Sequence, residues 1–140
     1  MLLECGTSWH LMSENCENNS KYTSLRRCQM ITDASLCSIV DFLWMEKLDL
    51  SYCTKITNPG IEVFSAVCCA VRELILRRVY KLTPQMLFGL ARNCKDLQLL
   101  DIRDCDNIDD ESVATMKKFN TTVTVLKNGD RDKETKDKSK

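Results

Sequence analysis

One set of residues recurs along this chain at a fixed interval, and that interval limits the fold more than any other feature. Cys94, Leu97, Leu100, Ile102, Cys105, Ile108, Val113 and Met116 are each preceded, 26 residues earlier, by Cys68, Val71, Leu74, Leu76, Val79, Leu82, Leu87 and Leu90. A second step of 26 reaches Phe42, Met45, Leu48, Leu50, Cys53, Ile56, Ile61 and Phe64. Every one of these positions is apolar or cysteine in a chain that is 44% hydrophobic, so the agreement marks a repeat. Repeats of this length are single supersecondary units that bury their apolar faces only by stacking on copies of themselves. The pattern weakens outward. Leu25, Cys28, Ile31, Thr32, Leu36 and Ile39 match Leu50, Cys53, Ile56, Thr57, Ile61 and Phe64 at a step of 25. Val123 and Leu126 continue Leu97 and Leu100 at 26, with Asn120 where a cysteine would stand.

Each repeat divides into two halves. Leu48-Asp49-Leu50, Leu74-Ile75-Leu76 and Leu100-Asp101-Ile102 bury alternate residues, as a short one-sided strand does. The second half has helical spacing, with inward faces at Ile61, Phe64 and Ala66-Val67, then Leu87, Leu90 and Ala91, then Val113 and Met116. Thr57-Asn58-Pro59 and Thr83-Pro84 place a capping hydroxyl before a proline, and Asp109 with Glu111 starts the third helix. Strand, turn, helix, turn is the unit. Stacked copies make an α/β solenoid with parallel strands on the concave face and helices on the convex face. Three regions follow: an irregular leader over 1–22, a repeat domain over 23–128, and a charged tail over 129–140. From Lys127 onward six basic and four acidic side chains carry no hydrophobe, so disorder is expected there.

Composition then removes function classes. The chain has 140 residues, 20 basic and 20 acidic side chains and a single histidine, His10. A balanced charge gives no overall footprint for nucleic acid or an anionic membrane. No apolar run approaches the roughly 18–20 residues of a membrane span, and the opening Met1-Leu2-Leu3-Glu4-Cys5 lacks the basic start of a secretion signal. There is no Gly-rich phosphate loop and no nucleophile with a credible base, so an enzyme is not expected. Nine cysteines never form a C-x2-C pair, which argues against zinc. The register instead puts Cys53 and Cys105 in the strand-to-helix bend, with Val79 between them, and Cys68 and Cys94 at helix ends. Those are places for small buried thiols. A redox role for Cys68-Cys69 is the remote alternative. Asp109-Asp110-Glu111 reads as a helix start and not a cation site. Asn18-Asn19-Ser20 and Asn120-Thr121-Thr122 match the glycosylation sequon but are expected to stay unmodified. No metal and no cofactor are expected.

Two stretches carry a resemblance. Cys94-Lys-Asp-Leu97-Gln-Leu-Leu100-Asp-Ile102-Arg-Asp-Cys105-Asp-Asn-Ile108-Asp-Asp and Met45-Glu-Lys-Leu48-Asp-Leu50-Ser-Tyr-Cys53-Thr-Lys-Ile56-Thr resemble the cysteine-containing leucine-rich repeat. The wording is similar to that of F-box/leucine-rich-repeat proteins and antagonist-of-mitotic-exit-network-type relatives, over about residues 23 to 128. The resemblance implies a short leucine-rich-repeat solenoid of the ribonuclease-inhibitor-like kind. It also implies that the repeats recruit a protein substrate while an upstream F-box docks on an SCF-type ubiquitin ligase. Residues 1–22 carry no Leu-Pro-x-Glu opening and do not resemble an F-box, so the chain reads as a fragment, an isoform or an F-box-less member. A structural subunit of a larger assembly, such as an axonemal regulatory complex, is the alternative. A cytoplasmic location is expected, with the nucleus as the other choice.

Binding is expected on the strand residues that alternate with the buried ones. These are Lys47, Asp49 and Ser51, then Glu73, Ile75 and Arg77, then Leu99, Asp101 and Arg103, with Arg78 and Asp104 at the neighbouring edge. Ile75 beside Leu99 would form a small apolar centre among Arg77, Arg103 and Asp101. Such a mixture suits a protein interface. Reversing Arg77 and Arg103 together to Glu is expected to abolish partner capture without unfolding.

Overall fold

Leucines two residues apart on a short extended segment and a cysteine three residues on are repeated in space as they are in sequence. The computed structural model describes residues 22–37 and 45–128. Five three-residue strands, β1 (Tyr22–Ser24), β2 (Lys47–Asp49), β3 (Glu73–Ile75), β4 (Leu99–Asp101) and β5 (Thr124–Leu126), pair in parallel in chain order. Helices α1 (Asp33–Cys37), α2 (Asn58–Val67), α3 (Gln85–Asn93) and α4 (Asp110–Phe119) connect them. This is the expected solenoid. Tyr22, assigned to the leader on sequence, is the first strand residue. The expectations for the rest of the leader, His10 and Asn18 included, and for the tail beyond Asn128 lie outside the described residues.

The core consists of rows running across the repeats. Leu25, Leu50, Leu76 and Ile102 form one, Leu36, Ile61, Leu87 and Val113 another, and all are buried. Each fully buried side chain contributes about 1.5–3 kcal/mol relative to exposure. A third row, Cys28, Cys53, Val79 and Cys105, fills the bends. There the Cys53 Sγ donates to the Leu25 carbonyl (3.1 Å) and the Cys105 Sγ to the Leu76 carbonyl (3.0 Å). The seven described cysteines are free thiols. Burial pushes Cys68 and Cys105 up to about 11 and Cys94 up to about 12. Cys68 and Cys94 close α2 and α3, donating their amides to Phe64 and Leu90.

Three local expectations are corrected. Strand pairing sets Leu48 against Leu74 and Leu74 against Leu100, but Leu100 against Val125 rather than Leu126. Asn120 does hold the helix-end place of Cys94, donating its amide to Met116 (3.0 Å) and its Nδ2 to the Cys94 carbonyl (3.3 Å). The turn after it is therefore one residue shorter, and β5 enters the sheet early. Buried in this way, the Asn120 sequon is closed to a glycan in the folded chain. On α2 the inward face is Gly60, Ile61, Phe64 and Ser65, while Ala66 is exposed and Val67 half-buried.

Capping is the third correction. Asp109 caps α4 as expected, accepting from the Ser112 amide (2.8 Å). The hydroxyls of Thr57 and Thr83 do not cap their own helices. They bond to the previous repeat instead: the Asp33 carboxylate takes the Thr57 amide (2.8 Å) and hydroxyl, and the Asn58 side chain takes the Thr83 amide (3.0 Å) and bonds its hydroxyl. Gly60 belongs to this ladder, since a Cβ there would overlap the Asp33 carboxylate.

Candidate protein-binding surface

Three residues after each of the first four strands ends, the chain bends away from the sheet through one residue in the left-handed region. That residue recurs once per repeat: Arg27 (φ 65°), Tyr52 (φ 66°), Arg78 (φ 57°) and Asp104 (φ 61°). None is glycine, and Arg27, Tyr52 and Arg78 each carry a conformational cost of about 1–2 kcal/mol, while the short polar side chain of Asp104 tolerates this region better. The ladder continues through the bends and holds them in place. The Arg27 amide donates to the Ser51 carbonyl (2.8 Å), Tyr52 to Arg77 (2.8 Å) and Arg78 to Arg103 (3.1 Å). Side chains of one row thus stand about 4.8 Å apart, one repeat to the next.

The concave side of the sheet is a trough of about 820 Å³. Eight of the nine residues expected there line it: Lys47, Asp49, Ser51, Glu73, Ile75, Arg77, Leu99 and Asp101. Arg103 does not. Its side chain lies down on Asp101, with Nε 2.9 Å from Oδ1 and NH2 2.6 Å from Oδ2, and Arg103 is 8% exposed. Arg77 reaches the same carboxylate across the strands, Nε to Oδ2 at 2.7 Å. Asp101, 2% exposed, is thus held by two guanidiniums. Asp49 is turned to its own bend, where Oδ1 accepts the Ser51 amide (2.9 Å). Lys47 pairs with Glu73 at 3.5 Å.

Two expectations change as a result. Ile75 lies opposite Asp101, and Leu99 opposite Glu73, so the two apolar residues are diagonal rather than side by side. Reversing Arg77 and Arg103 is no clean test of binding either, because two carboxylates would then crowd a buried aspartate. Loss of capture by that variant would report unfolding.

The trough also holds Tyr22, Arg26, Gln98, Thr122, Thr124 and Leu126. Tyr22 and Arg26 were accessible to sequence reasoning, being the equivalents of Lys47 and Ser51 at the step of 25 already seen for Leu25 and Leu50. Thr124 and Leu126 were hidden by the shortened last turn. Outside the trough, the ring of Tyr52 is approached by three guanidiniums, Arg26 at 5.2 Å, Arg27 at 5.1 Å and Arg78 at 5.4 Å from its centroid. The hydrogen bond from Arg26, with the charges of Arg78 and Arg26, holds the Tyr52 hydroxyl below the usual phenol range. Arg78 also bonds Asp104, Nε to Oδ2 at 3.3 Å. The described residues contain no cluster suited to a metal ion and no helix long and apolar enough to cross a membrane.

A family model described as a leucine-rich repeat matches residues 43–65 and 93–116, the stretches of β2 with most of α2 and β4 with most of α4. Among solved structures, a chain in the crystal structure of the Rad7 and Elc1 complex in yeast is similar at a TM-score of 0.67 and 22% identity. The likeness covers 77% of this chain and 28% of that one, so the present chain spans less than a third of its neighbour. At that identity the likeness speaks for the fold. Repeat register, sheet order and both matches agree that the chain is a short α/β solenoid built of leucine-rich repeats.

Proposed function

We propose that this chain is a non-catalytic protein-interaction module whose concave five-stranded face receives a protein partner. The observation that carries this reading is the open trough. Its floor mixes half-exposed apolar residues, Ile75 and Leu99, with Arg77, Lys47 and Glu73, the composition of an interface with anchors and a polar rim. The likeness to a chain from a two-protein complex supports it. Kinship to F-box/leucine-rich-repeat proteins points to substrate recognition or an adaptor role around SCF-type ubiquitin ligases. The seven free thiols among the described residues support a reducing compartment, the cytoplasm, with the nucleus as alternative. The repeat domain is taken as 23–128 and acts as one unit.

A structural subunit of a larger assembly, such as an axonemal complex, is the second reading. It draws on apolar side chains facing outward from the helices: Val63 on α2, Phe88 on α3 and Phe119, 66% exposed, on α4. Affinity capture with the full chain separates the two readings, using Leu99→Glu and Ile75→Glu as groove variants and Phe88→Asp as a helix-face variant. Ligase components together with a short-lived protein, lost in the groove variants only, are the expected result. Stoichiometric assembly partners lost only with Phe88→Asp would overturn the substrate-recognition reading in favour of the second.

A further inference from the structure

The four strand-to-helix bends do not share their charge evenly. From the last strand residue to the left-handed residue, positions 24–27, 49–52, 75–78 and 101–104 hold five arginines and three aspartates in a chain of zero formal charge. The aspartates are largely spent. Asp101 is held by Arg77 and Arg103, Asp104 by Arg78 and through its amide by Asn128, and one Asp49 oxygen by the Ser51 amide. Arg26 and Arg27 have no carboxylate among the described residues and are exposed, converging with Arg78 on the Tyr52 ring. Guanidiniums set around one ring repel one another, and an anion that joins them offsets the repulsion.

A second observation lies beside this cluster. Ser51, which precedes Tyr52 and lies between Arg26 and Arg77 in its row, lines the trough and is 1% exposed. Its Oγ has no hydrogen-bond partner among the described residues. A buried hydroxyl without a partner costs about 1–3 kcal/mol, which a ligand atom at this spot would offset.

We propose that the rim beside the trough, where Arg26 and Ser51 of its lining meet the Tyr52 cluster, is an oxyanion subsite. Arg26, Arg27 and Arg78 around Tyr52 and the Ser51 hydroxyl would take a phosphate or carboxylate carried by a peptide segment lying along the concave face. A peptide is favoured over a nucleic acid because the guanidiniums already crowd the Tyr52 ring, leaving it unavailable for stacking a base. Arg26 lines the trough and also touches that ring, so one extended segment reaches both places. Phosphate offers three acceptor oxygens and nearly two charges, carboxylate two oxygens and one charge, and either fits forked donors. The assignment rests on the concave face being the partner surface.

The test titrates the folded full chain with inorganic phosphate and with three glycine–serine peptides of equal length bearing glutamates, phosphoserine or glutamines. Arginine side-chain NMR signals and fluorescence anisotropy are followed. Phosphate and the two anionic peptides are expected to shift the Arg26, Arg27 and Arg78 signals, and the glutamine peptide is not. The tighter of the two anionic peptides identifies the source of the oxyanion. Arg26→Gln with Arg27→Gln, both exposed, is expected to weaken anionic-peptide binding about tenfold with an unchanged circular dichroism spectrum. Ser51→Ala is expected to weaken it several-fold without loss of stability. Equal binding of the glutamine peptide, or undiminished binding by the double variant, overturns the subsite. A single-stranded oligonucleotide bound more tightly than either anionic peptide overturns its assignment to peptides. Leu99→Glu separates the two claims. Peptide binding lost with Leu99→Glu but kept by the arginine variant removes the subsite and leaves the trough. Arginine signals that respond to phosphate, while peptide binding ignores Leu99→Glu, remove the trough and leave the anion site.

Discussion

The first two bends and the last two are built from the same residue types on the same backbone and end in opposite conditions. In the third and fourth, Arg77 and Arg103 close on Asp101, the Asp104 amide is taken by Asn128, and Arg78 stands at the border, paired with Asp104 at the surface and also against the Tyr52 ring. In the first and second, Arg26 and Arg27 meet the ring and hydroxyl of Tyr52 but no carboxylate among the described residues, and a buried hydroxyl stands without a partner. The difference lies in two aspartates, Asp101 against Arg77 and Arg103 and Asp104 against Arg78. Strand-end residues run Ser24, Asp49, Ile75, Asp101, and only Asp101 has an arginine from its own bend and another from the preceding repeat. A charge closed by its neighbours belongs to the fold, and a charge of the same kind left open remains available for recognition.

Removing Asp101 should break that distinction where it is strongest. Asp101→Ala takes from Arg103, which is 8% exposed, the carboxylate that accepts its Nε and NH2. Loss of one partner of a buried pair costs about 3–5 kcal/mol, and Arg77 at the surface softens this toward the lower bound. Urea unfolding should show a loss of about 3 kcal/mol. Arg26→Gln with Arg27→Gln should instead fall within about 0.5 kcal/mol of the parent, as exposed substitutions do. Equal losses from the two variants would erase the comparison.

These differences were only partly legible in the sequence. The interval of 26 placed the buried rows, the strands and the bend cysteines, because a methyl or thiol facing the core must recur wherever the backbone recurs. Polar side chains obey the interval less strictly, since they have a choice of partners. Thr57 reads as a cap for its own helix, yet it bonds Asp33 of the repeat before, a choice made by a carboxylate 24 residues away. Arg103 reads as an outward strand residue, yet it folds back on Asp101 two positions earlier. The last strand enters the sheet one residue early, which moved Leu126 from the Leu100 row to the Asp101 row. A long polar side chain can bend to several neighbours at similar cost, and periodicity does not record which it takes.

Beneath the bends the two halves should be indistinguishable, and the thiols measure this. Burial raises Cys68, Cys94 and Cys105 above the ordinary thiol value of about 8.5, so these groups stay protonated in the folded chain after the unfolded chain has begun to ionise. Their contribution is therefore complete below about pH 8.5 and is lost as pH rises toward about 11, the folded value of Cys68 and Cys105. The loss amounts to about 1 kcal/mol per thiol near pH 9.5. Labelling of the native chain at pH 8 should modify Cys37 and Cys69, which are exposed, and spare Cys28, Cys53, Cys68, Cys94 and Cys105. Faster labelling of Cys53 than of Cys105 would mean that the first bends are open inside as well as at the rim.

The smallest effect is the most discriminating. Ser51→Ala removes a hydroxyl that is buried and unpartnered, so the folded chain loses no hydrogen bond and sheds a desolvation cost. The substitution should leave stability unchanged or raise it by up to about 1 kcal/mol, measured by the urea midpoint at constant slope. The opposite sign would mean that the hydroxyl is bonded within the folded chain. The second bend would then be closed like the fourth, and the contrast between the two halves would reduce to Arg26 and Arg27 alone. A gain in stability combined with weaker anion binding has a different meaning. It would identify Ser51 as a group kept for a ligand at the expense of the fold, at the point where the trough meets the arginines.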